Sequence, residues 1–163
     1  MHTASINELK KELKNRSSSE LINTIQRLAR YKKENKELLH YLLFESEDET
    51  FYIDQVKNDI TEAFETINTT SFYLAKKTIR KVLRLANKQI RYSGIKQTEI
   101  EILIFYCQSL LALDLPFKES KVLMNLLNNQ LKKIDKALMT LHEDLQYDYR
   151  LDLDALKGRI ESL

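Results

Sequence analysis

In a chain of 163 residues, glycine occurs twice, at Gly94 and Gly158, and proline once, at Pro116. Sheet domains turn about every 8–12 residues, and their turns draw heavily on glycine and proline. Three such residues cannot supply those turns, so long helices joined by short polar links are what remains. The expected fold is all-α: a single-domain helical bundle of about seven helices across residues 1–163. A short α-α solenoid of stacked helical hairpins is the alternative architecture.

Capping signals and apolar periodicity place the helices. Ser5 to Glu8 and Ser17 to Glu20 each have the Ser-x-x-Glu spacing of a capping box, which satisfies two orphan N–H groups at once. They predict a first helix over residues 5–15 and a second with Leu21, Ile25, Leu28 and Ala29 on one stripe, paired as a hairpin. A third helix runs over 34–44 with Leu38, Leu39, Leu42 and Leu43 inward. Residues 1–44 thus read as a hairpin plus one helix. Residues 48–147 read as the core, and 148–163 as a weak terminal helix with Leu153, Leu156 and Ile160 inward.

Within the core, Ile53, Val56, Ile60, Ala63, Phe64 and Ile67 share one face of a helix over 48–67. The next helix, over 71–92, ends at Gly94, a residue suited to a left-handed stop. The helix over 97–113 is apolar nearly all round, as the centre of a bundle must be. Pro116 ends it. From Met124 the apolar residues Leu127, Leu131, Ile134, Leu138, Leu141 and Leu145 follow at alternating steps of three and four. That heptad seam predicts one long helix over 117–147. It packs within the chain in the preferred reading, and forms a homodimer through residues 124–145 in the other.

The net charge is only +2, yet its distribution is uneven. Residues 45–65 carry eight acids and one lysine, whereas 66–98 carry eight basic residues and no acid. Helical geometry places Lys76, Lys77, Arg80, Lys81, Arg84, Lys88 and Arg91 within an arc of about 140°, a stripe roughly 20 Å long. Phe72, Ala75, Ile79, Val82, Leu83, Ala86 and Ile90 fill the opposite arc. Three readings follow: a solvated or internally paired face, a dock for an acidic protein partner, or a phosphate-contacting surface for nucleic acid. The deciding neighbours are Asp54, Asp59, Glu62 and Glu65 on the outer face of the preceding helix.

Enzyme chemistry finds little support. Two isolated glycines make no phosphate-binding loop. One cysteine and three scattered histidines make no zinc site. Glu37 and His40 have the Glu-x-x-His spacing of di-iron bundles, but no second copy of the motif exists. His142, Glu143, Asp144, Tyr147, Asp148 and Tyr149 gather acid–base groups without a pocket signal. The expectation is a non-enzymatic protein with no catalytic, metal or cofactor residues.

Cys107 is the only cysteine and sits in an apolar run, which excludes an internal disulfide and suits a reducing, cytoplasmic setting. The N-terminus has no apolar signal region, and the run "ILIFYC" is too short to span a bilayer. No membrane partner is expected.

The segments "LARYKKENKELLHYLLF", "YLAKKTIRKVLRLANKQIRYSG", "KQTEIEILIFYC" and "LHEDLQYDY" resemble those of small all-helical bacterial proteins of unknown function. That resemblance implies a cytoplasmic helical protein and carries no catalytic motif. The N-terminal "LKKELKNRSSSELINTIQRL" also resembles SAP-type DNA-binding hairpins, although it lacks their glycine between the helices. The functional expectation is an interaction or scaffold protein using charged helix faces, with a nucleic-acid-binding module through residues 71–92 as the alternative.

Overall fold

The computed structural model describes residues 3–163; the first two residues of the predicted domain lie outside the described residues. The described residues contain eight α-helices and no strand, so the all-α class holds. In chain order these are α1 (Ile6–Lys14), α2 (Ser18–Tyr31), α3 (Lys33–His40), α4 (Glu49–Glu65), α5 (Phe72–Ser93), α6 (Lys96–Leu111), α7 (Lys121–Leu138) and α8 (Glu143–Glu161). They fall into two compact units, one ending at Phe44 and one spanning Glu45–Leu163.

In the N-terminal unit both capping boxes form as expected. Ser5 Oγ accepts from the Glu8 N–H at 3.4 Å and the Glu8 carboxylate accepts from the Ser5 N–H at 2.7 Å. Ser17 and Glu20 repeat the arrangement. The hairpin, however, is α2–α3 and not the α1–α2 pair. Two features account for this. Arg16 lies in the α1–α2 link and pairs with Glu12 at 3.7 Å and Glu20 at 3.5 Å, along the chain on both sides. Lys32 turns α2 into α3 through a single extended residue, and Asn35 Nδ2 donates to the Leu28 carbonyl at 2.8 Å to close that corner. A π-helical turn, Tyr41–Glu45, follows α3.

The C-terminal unit is a bundle centred on α6, which packs against α4, α5, α7 and α8. Its composition explains the position: Ile100, Ile102, Leu103, Tyr106, Cys107 and Leu110 are wholly enclosed, on faces that point in several directions. α5 contributes Ala75, Ile79, Val82, Ala86 and Ile90 to the core. Each large aliphatic side chain buried in this way stabilises by about 1.5–3 kcal/mol. The apolar arc therefore fixes how α5 lies, and the charges on its other side follow. Gly94 ends α5 with φ 68°, the left-handed stop its residue type predicts.

One expected helix divides. α7 ends at Leu138, and α8 starts at Glu143, so no helix runs through to Tyr147. Thr140 Oγ1 donates back to the Ala137 carbonyl at 2.6 Å, and His142 caps α8 by accepting from the Asp144 N–H at 3.4 Å. These local bonds compete with continued helix. Leu127, Leu131, Ile134 and Leu138 are buried within the chain, whereas Leu145 is exposed beyond the turn. A continuous dimer seam over 124–145 is therefore absent. The terminal segment is also longer than expected, a full helix of 19 residues docked by Leu153, Leu156 and Ile160.

Candidate functional site

The basic arc of α5 emerges as one exposed face. Lys77, Arg80, Lys81, Arg84 and Arg91 are exposed, and none has a hydrogen bond or ion pair among the described residues. Two members of the arc differ. Lys76 is half-buried, with its ammonium 4.8 Å from the Phe72 ring centroid, a cation–π contact. Lys88 is half-buried and engaged in an interaction of its own. The seven residues thus reduce to a free set of five, with Lys76 held at the edge of the arc and Lys88 held inside it, between Arg84 and Arg91.

The acidic neighbours leave this set open. Asp54, Asp59, Glu62 and Glu65 on α4 are exposed and make no ion pair with α5. The carboxyl of Asp59 is raised above its ordinary range, first by partial desolvation and then by the charge of Glu62. A nearby lysine or arginine would have the opposite effect.

Bonds on the inner side set the α4–α5 arrangement. Tyr52 Oη donates to the Gln89 carbonyl at 3.1 Å and to its side-chain oxygen at 2.9 Å. Glu49, at the start of α4, accepts from Ser93 at the end of α5 and from Thr98 of α6 at 2.5 Å. Lys57, the one cation of α4, is taken by Glu101 of α6 at 3.4 Å. Helices held by their inner edges present their charged backs to solvent separately. The core bonds of Glu49 and Glu101 have a sequence signal, a Thr and a Glu inside an otherwise apolar helix. Periodicity cannot name their partners.

The other candidate clusters do not assemble. Glu37 pairs with Lys33 at 3.6 Å, and the His40 ring lies 5.1 Å from that of Phe44. No group of three or more His, Cys, Asp or Glu among the described residues is placed to hold a metal. The run from His142 to Tyr149 divides between faces: His142 caps α8, Glu143 and Asp144 lie exposed in its first turn, and Tyr147 is exposed. Tyr149 instead turns inward and donates to Glu101 at 2.6 Å. Burial, that hydrogen bond and the Glu101 charge hold its phenol protonated well above the usual range. Cys107 is enclosed, and burial pushes its thiol up to about 12, the reverse of what a nucleophile needs.

No described helix is long and apolar enough to cross a membrane. What the fold and this face define is an all-helical protein with a five-cation stripe on a rigid core helix. Comparisons with protein-family models, curated proteins and solved structures find no match to the chain.

Proposed function

We propose that this is a non-enzymatic interaction protein whose α5 face docks an acidic surface of a partner protein. One observation carries the reading: Lys77, Arg80, Lys81, Arg84 and Arg91 are exposed and unpaired while α4 acids stand nearby. Five cations crowded on one helix face repel one another, and an incoming set of carboxylates removes that repulsion. The scaffold suits the task. α5 is fixed by its buried apolar arc, so binding does not need to order the face, which lowers the cost of association. The lone, enclosed cysteine supports a cytoplasmic setting for that docking.

Nucleic acid is the second reading, favoured by the length of the stripe and by the exposed Tyr73 beside it. The charge of the whole unit argues against it. Residues 45–163 carry 17 basic and 19 acidic side chains, so a long polyanion meets a net negative body around a local positive strip. A compact acidic protein surface meets the strip alone.

Reversal of charge tests both readings. Lys81→Glu combined with Arg84→Glu leaves the fold intact, because exposed charges of this kind contribute at most about 1 kcal/mol each. A partner recovered by the intact protein is then lost, and its affinity falls steeply with salt. Mixed single- and double-stranded DNA and RNA at low salt serve as the competing probe. Tight, salt-sensitive binding to these probes, lost in the same variant, selects the nucleic-acid reading. A partner retained at full affinity by the double reversal removes α5 from both.

A further inference from the structure

The N-terminal unit has a second surface of different character. No side chain of α1, α2 or α3 is buried. Eleven of the twenty exposed large apolar side chains lie in residues 3–44, about a quarter of the chain. They are not scattered. Ala29 of α2 and Leu39 of α3 form a floor between the two helices, extended by Leu43 and Phe44. Phe44 is 73% exposed and Leu43 62% exposed. The hydrogen bond from Asn35 to the Leu28 carbonyl closes the corner of the hairpin, so the groove is preformed.

The rim identifies the occupant. Arg30, Lys32, Lys33 and Lys36 line one side of the groove, and no acid lines it. Lys33 is engaged by Glu37, whereas Arg30, Lys32 and Lys36 have no ion pair among the described residues. An apolar floor with a basic rim complements a helix that carries an apolar stripe flanked by carboxylates. A second copy of this unit fits poorly. Residues 1–44 hold nine basic and five acidic side chains, so two such surfaces repel.

We propose that the α2–α3 groove binds an acidic amphipathic helix of a partner protein. Apolar anchors of that helix rest on Leu39, Leu43 and Phe44, and its carboxylates face Arg30, Lys32 and Lys36. α2 has 14 residues and is about 21 Å long, enough to seat roughly four turns. This site is independent of the α5 face.

The test is a titration of the full chain, followed by backbone NMR, with a synthetic helical peptide of about four turns that has leucine at i, i+3, i+4 and i+7 and glutamate on the flanks. Three probes compete with it: a scrambled peptide of equal composition, a peptide with lysine in place of glutamate, and vesicles of phosphatidylcholine with phosphatidylglycerol. The expected result is saturable binding of the acidic helix with shifts centred on residues 28–44. Arg30→Glu with Lys36→Glu weakens it about tenfold or more, Leu43→Glu does the same, and the Lys81→Glu, Arg84→Glu protein binds normally. The proposal is overturned by equal binding of the scrambled or lysine peptide, by no binding, or by vesicle binding alone. It is equally overturned by a self-association that Leu43→Glu abolishes, or by loss of peptide binding in the α5 variant.

Discussion

Cys107 shows how far burial alone fixes the chemistry of a residue. Its thiol sits on α6, one turn before the end of the helix, with no exposed surface, and removal from water raises it from an ordinary 9.0 to about 12. Tyr106 beside it is raised by burial as well. The unfolded chain releases the thiol proton near pH 9, while the folded chain keeps it until about 12. Between those values the unfolded state binds fewer protons, so stability falls as pH rises. Below 9 the contribution is complete. Denaturant midpoints measured from pH 8 to about 10.5 are expected to decline, and Cys107→Ala to flatten that decline while costing about 1 kcal/mol at pH 8. An unchanged slope in the variant removes Cys107 as the source. The buried state of this cysteine was legible in its apolar surroundings. The role of Glu101, six residues earlier on the same helix, was not. It accepts from Tyr149, 48 positions away, and Thr98 reaches Glu49 across 49. Helical periodicity reports which face a residue occupies, and it carries nothing about which distant side chain meets that face.

At the level of elements, the distinction between α5 and α7 is instructive. α5 was readable almost whole: its apolar arc, its Ser71 cap and its Gly94 stop all act within a few residues of one another. The split between α7 and α8 was hidden because the three-and-four spacing of leucines continues through the turn to Leu141 and Leu145. Apolar spacing constrains a helix only when the backbone bonds agree, and Thr140 and His142 redirect them. Caps consequently matter more at this end of the molecule. Ser120 is 6% exposed, and its Oγ accepts from the Leu123 N–H at 3.3 Å at the start of α7. Ser120→Ala leaves that N–H without a partner in a place water does not reach. A loss of about 1 kcal/mol is expected, read as a lower denaturant midpoint at unchanged slope. Ser120→Thr, which keeps the hydroxyl, recovers part of it. Equal losses in both variants point to packing rather than the cap.

Across the whole molecule, protection is unequally distributed, and the two proposed surfaces lie at opposite ends of that range. α6 is enclosed by four helices, and α5 is locked to it through the Tyr106 hydroxyl, which donates to the Ile79 carbonyl at 3.0 Å. The α5 cations therefore stand on a rigid element. α1, α2 and α3 bury no side chain, and a segment of this size with so little core has little to oppose its conformational entropy. Opening of these helices takes less free energy than opening of α6. Amide hydrogen exchange is expected to be fastest in α1, intermediate in α2 and α3, where Asn35 ties the hairpin, and slowest in α6 near Leu103 and Cys107. Seating an acidic amphipathic helix in the α2–α3 groove covers Ala29 and Leu39, so exchange in those two helices slows while that in α6 is unchanged. Binding at the α5 face leaves the pattern as it was, because that helix is already ordered. Uniform protection along the chain would show that residues 3–44 share in the core's stability, and the low stability inferred from their unburied side chains would then be wrong.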